Sequence, residues 1–84
     1  MTYNGWTNYE TWNVHLWLTN EPGSYAAARD AARTIRPEPE LRDLVETLYD
    51  LPQSGLAADL IGNALDAVNW AEIVAALTEG DDEA

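Results

Sequence analysis

Residues 4–20 read NGWTNYETWNVHLWLTN. Three of the chain's four tryptophans and one of its four tyrosines lie here, in an 84-residue protein with no phenylalanine. Thr7, followed three places later by Glu10, has the pattern of a capping box, in which each side chain satisfies the other's free backbone N–H. A helix is therefore expected from about residue 8 to residue 18 or 19, with Pro22 and Gly23 of NEPG stopping it. On that helix Tyr9, Trp12, Leu16 and Asn20 share one face, and Val14, Trp17 and Leu18 share another. A helix apolar around most of its circumference is enclosed on several sides. The reading is of a central column, with Trp12, Leu16 and Trp17 in the core and Trp6 packed onto the first turn. On that reading Trp12→Ala costs roughly 3–5 kcal/mol. An alternative use for the same rings is as anchors for a protein partner. A base-stacking platform is disfavoured, because it needs interleaved Arg or Lys.

Four further helices follow from the rest of the sequence. Ser24 reads as the N-cap of YAAARDAARTI, whose Tyr25, Ala28, Ala32 and Ile35 form a stripe beside Arg29, Arg33 and Arg36. RPEPE breaks that helix. Pro39 suits the first turn of the third, with Glu38 and Glu40 at the positive end of its dipole. Leu41, Leu44, Val45, Leu48 and Leu51 then give the clearest amphipathic pattern, ended by Pro52. Ser54 reads as the cap of the fourth helix, with a stripe of Leu56, Leu60, Ala64 and Val68 widened by Ile61 and Leu65. Asn69 and Glu72 of NWAE form a second capping box, opening a helix with Trp70, Ile73, Val74 and Leu77. Gly80 reads as a C-terminal cap. The expected architecture is all-α: one compact domain over 1–84, about five short helices, a lead-in at 1–6 and an acidic tail at 81–84. Leu44, Leu48, Leu60 and Trp70 complete the expected core.

Composition limits the function more than it names one. There is no cysteine, hence no disulfide framework and no thiolate metal site. No apolar run approaches the roughly 20 residues that span a bilayer, and no basic-plus-apolar signal segment opens the chain. A cytoplasmic location is expected. Fifteen acids against four arginines leave a net charge of −11. Such a chain repels phosphates and anionic membranes, so its expected partners are cationic surfaces rather than nucleic acid or lipid. Twelve of the acids fall in residues 37–84, where Arg42 is the one base.

No catalytic constellation is visible. His15 is the only histidine, and no Ser or Thr has a His–acid pair at recognisable spacing. Carboxylate pairs carry little information in so acidic a chain, and neither a phosphate loop nor an EF-hand loop is present. The chain is read as a non-enzyme with no cofactor and no metal.

The acids on the third and fourth helices are regular. Asp43, Glu46 and Asp50 stand at i, i+3 and i+7, and Asp59 and Asp66 at i and i+7. Carboxylates three or four residues apart stand about 5–6 Å apart along a helix axis, and such rows resemble, at lower density, the charge of a duplex backbone. These five residues are the candidate partner-binding set for a nucleic-acid channel on another protein. The plainer reading is that they form solvated faces that keep a small domain soluble.

The stretch GWTNYETWNVHLWLTN also resembles the opening of a family of small proteins of unknown function carried by phages, plasmids and other mobile elements, and NWAEI at 69–73 is similar to that family's closing segment. The resemblance covers some 20–25 residues. His15 departs from the small residue expected there, and the middle of the chain is shorter than expected. The resemblance implies a mobile-element origin and brings no catalytic residues. Joined to the acidity, it points to an inhibitor of a host nucleic-acid-binding defence complex, with anti-CRISPR ahead of antirestriction. The inhibitor would bind the complex's basic surface as a monomer or homodimer. The rival expectation is a helical adaptor that binds a protein through an aromatic and apolar surface.

Overall fold

The computed structural model describes residues 2–80. Five helices follow one another: α1 (Tyr9–Thr19), α2 (Pro22–Ala32), α3 (Pro37–Leu48), α4 (Leu56–Ala67) and α5 (Trp70–Leu77). The fold is a single all-α domain. The acidic tail expected at 81–84 lies outside the described residues. Among them, no single helix is long and apolar enough to cross a membrane.

The start of α1 is built differently from the expected capping box. Asn8, not Thr7, is the N-cap: its Oδ1 accepts from the Thr11 backbone N–H at 2.9 Å and from the Thr11 hydroxyl at 2.6 Å. Thr7 faces the other end of the chain. Its N–H donates to Glu72 Oε1 at 3.0 Å, and its hydroxyl accepts from Asn69 Nδ2 at 3.1 Å. Asn69 does cap α5, accepting from the Glu72 N–H at 3.1 Å. The reciprocal half of that box is missing, because the Glu72 carboxylate serves Thr7 and the Asn69 N–H donates to Thr11 Oγ1 at 2.9 Å. Asn8 Nδ2 completes the junction by donating to the Ala67 carbonyl at 2.7 Å, at the last turn of α4. Donors and acceptors that a capping box would pair locally are thus exchanged between the two ends of the chain.

The lead-in holds a tight turn. Tyr3 and Trp6 exchange backbone hydrogen bonds of 2.7 and 2.8 Å, with Asn4 at φ 50° and Gly5 at φ 89°. Positive φ at both central residues is the type I′ arrangement that Asn-Gly favours. The turn folds Tyr3 back onto α1, with its ring 5.2 Å from Tyr9 and 5.0 Å from Trp12, and sets Trp6 over His15 at 4.4 Å.

The core consists of Leu18, Ala28, Ala32, Leu41, Val45, Leu65, Val68, Ile73 and Leu77. It corrects the expected one. From α1 the buried residues are Thr11 and Leu18, with Val14 packed alongside, an i, i+3, i+7 stripe whose first member is a hydroxyl. Trp12 is only half-buried, Leu16 is exposed and Trp17 is 56% exposed. Leu44 and Trp70 pack partly against the core, while Leu48 and Leu60 are exposed. Ile35 is 98% exposed, because α2 ends at Ala32 and the residue falls in the connection to α3.

Prolines open helices here instead of closing them. Pro22 begins α2 and Pro37 begins α3, at first-turn positions where a missing N–H is harmless. Ser24 consequently sits inside α2. Its hydroxyl donates to the Leu18 carbonyl at 2.9 Å, one of the groups α1 leaves unpaired at its C-terminus. Gly55 rather than Ser54 is the N-cap of α4. Helix α2 packs chiefly on α3, where Ala28 and Ala32 permit close approach, whereas the one substantial neighbour of α4 is α1.

Thr11→Val keeps the shape of the side chain and removes the hydroxyl, so it should destabilise the protein by about 1–3 kcal/mol in chemical denaturation. Wild-type stability in that variant would rule out the Thr11 junction as a fastening. Leu18→Ala should cost about 2–5 kcal/mol and Trp17→Ala about 1 kcal/mol or less. The reverse order would return the indole to the core.

Candidate functional site

Because α1 buries only the Thr11 stripe, its aromatic flank is left beside α4 and the end of α3. A groove of about 470 Å³ runs between them. Its α1 wall is Tyr9, Glu10, Asn13, Val14 and Trp17. Its α4 wall is Ile61, Ala64, Leu65 and the following Val68, and Val45, Tyr49 and Leu51 close it at the end of α3. The volume is in the range of ligand-sized clefts, about 300–1,000 Å³.

The wall on α4 exists because that helix is apolar over too wide an arc for one neighbour. Ile61, Leu65 and Val68 turn toward the core, while Leu56 and Leu60, on the adjoining flank, are 75% and 60% exposed. The end of α3 is shaped by a left-handed residue. Asp50 takes φ 51° just past the helix, the Leu51 N–H donates to the Glu46 carbonyl at 3.0 Å and the Asp50 N–H to Thr47 at 3.2 Å. This is a Schellman motif with aspartate in the place usually taken by glycine. It turns Leu51 back into the groove beside Tyr49.

Tyr49 is the keystone of that end. Its hydroxyl donates to the Trp17 carbonyl at 3.0 Å, and its ring meets the Trp17 indole edge-on at 6.1 Å. Burial pushes the Tyr49 phenol above its ordinary pKa; a hydrogen bond with Ser24 opposes the rise and the Glu21 charge adds to it. The phenol therefore remains a donor at neutral pH and holds Trp17 in place.

The five acids named from the sequence do not form one uninterrupted array. Asp43 is exposed on α3, and Asp59 is exposed in the first turn of α4. Glu46 and Asp66 are brought together by Arg42, which stands 3.9 Å from the Glu46 carboxylate and 2.8 Å from Asp66. Asp50 is not on the helical row at all but in the left-handed turn, between two groove residues. Of the groove residues, Trp17 is among the rings read above as alternative anchors for a partner, whereas Tyr49 and Ile61 are not. The available signal was the width of the apolar arc on α4.

His15, half-buried under Trp6, has its pKa lowered by desolvation. The unfolded chain therefore binds the proton more readily than the folded one. The stability tied to this group is full above the unfolded value, 6.5, and is lost as pH falls below 6.5 toward the depressed folded value. Melting curves of wild type and His15→Gln should converge above pH 7 and separate below 6.5, with the wild type losing more. Parallel curves across that window would refute the linkage.

No curated protein and no solved structure matches the chain. The profile of a family of unknown function, DUF7249, matches residues 1–82. Its span takes in both the Asn8–Thr11 cap and the Asn69–Glu72 cap that the hydrogen bonds join, and the chain belongs to this family.

Proposed function

We propose that the chain is a non-catalytic protein-binding module that engages its partner at the α1–α4 groove. The observation that carries this reading is the exposure of two aromatic rings, Tyr9 and Trp17, in the lining of one apolar groove. A domain of 84 residues has little apolar area to spare. A contiguous exposed patch of this kind marks an interaction surface, and Trp and Tyr are favoured anchors within one.

A second reading is supported by the net charge of −11 and by the exposure of Asp43, Asp59 and Asp66. In it the chain is a stoichiometric inhibitor of a host nucleic-acid-binding defence complex in the cytoplasm, of anti-CRISPR or antirestriction type. It binds that complex's basic surface through its acids, in keeping with the resemblance to mobile-element proteins. The pairing of Glu46 and Asp66 with Arg42 reduces the charge that face offers, which is why the groove is preferred.

The two readings separate in a pull-down from bacterial lysate, washed at low and high salt, with two variants as controls. Groove binding predicts a partner that survives high salt, is lost with Tyr9→Ala/Trp17→Ala and is kept with Asp43→Arg/Asp59→Arg. A partner released by salt and by the charge reversals, yet indifferent to the groove substitutions, would overturn the groove in favour of the acidic inhibitor.

A further inference from the structure

Resting on the groove as the docking surface, we infer that its occupant is an amphipathic helix of a partner protein, with apolar side chains toward the floor and Lys or Arg about two turns apart. The floor is apolar, and Glu10 is the one charged residue in the lining. None of the four arginines lines the groove, and the chain has no lysine. Asp50 stands at the far end, between the lining residues Tyr49 and Leu51, and the Glu21 charge is felt at Tyr49. Glu10 thus gives one end of the site a negative charge and Asp50 adjoins the other, while among the described residues no basic side chain lines it.

The dimensions select the form of the occupant. Glu10 and Trp17 are seven residues apart on α1, about 10 Å along its axis, or two turns. Since Tyr49 bonds the Trp17 carbonyl, Asp50 marks the same end as Trp17. A helix laid in the groove between α1 and α4 presents side chains at i and i+7 over that distance, with its i+3 and i+4 positions reaching Val14, Ile61 and Leu65. A second copy of this chain is a poor occupant, because each brings a net charge of −11.

The test uses the whole chain and two synthetic 14-residue helical peptides that share a Leu stripe. One carries Lys at positions i and i+7 flanking the stripe, and the other carries Glu there. Binding is read by Trp fluorescence at about 20 mM salt, where screening is weak. The Lys peptide should bind at least ten-fold more tightly than the Glu peptide. Glu10→Gln/Asp50→Asn should bring the two within about three-fold. Asn tolerates the left-handed backbone of position 50, and an unchanged melting temperature would verify the fold. Equal binding of both peptides by the wild type would overturn the charge preference and leave groove docking standing. Failure of both peptides at millimolar concentration would overturn both. Self-association abolished by Trp17→Ala would assign the groove to a second copy and overturn the inference.

Discussion

The Thr11 hydroxyl is the point on which this fold turns. It is fully buried, donates to the Asn8 cap and accepts from the Asn69 backbone. A hydroxyl in the interior is tolerable only when its bonds are made, and here making them requires the start of α1 to sit against the corner between α4 and α5. The N-terminal segment and the last helix are thereby docked through directional contacts, with Thr7–Glu72 and Asn8–Ala67 on either side. With that face of α1 committed to Thr11, Val14 and Leu18, the indoles on its other sides have nowhere to go but the periphery. The groove is a consequence of the junction.

This explains what was legible in the sequence and what was not. Helix number, approximate limits and the Asn69 cap follow from proline placement, cap residues and the 3.6-residue period, all local physics. The apolar stripe of α3 was equally readable, but its buried members are Leu41 and Val45 rather than the expected Leu44 and Leu48. The orientation of α1 was not, because the apolar pattern runs nearly round the helix and its true inward stripe begins with a threonine. No scale of hydrophobicity selects Thr11 over Trp12; a partner for its hydroxyl does, and that partner lies 58 residues away. The Thr7 box and the reciprocal half of the Asn69 box failed for the same reason, since they assume local reciprocity where the chain uses distant exchange. The Asn4–Gly5 turn is local too, written in the residue pair that a type I′ turn favours.

The site was less legible than the fold. The acids were easy to count, but their geometry depends on where α3 stops and on which acids Arg42 gathers. Asp50 left its helical row because the helix ends at Leu48 in a Schellman motif, and that same turn delivers Leu51 to the groove. Acidity and apolar surface, which the sequence presents as competing explanations, meet at one place: the negative ends of an apolar cleft.

The junction also bears on how the chain reaches its native state. Helices α2 and α3 are joined by a short connection and pack chiefly on each other, so their contacts close early and cheaply. The Thr7–Glu72 bond spans 65 residues, and closing so long a loop must precede any reward from the bonds it permits. Of the five helices α1 is made first, yet its buried threonine lacks the Asn69 N–H donor until the start of α5 follows. Seating α1 through this junction therefore needs the start of α5 already in place.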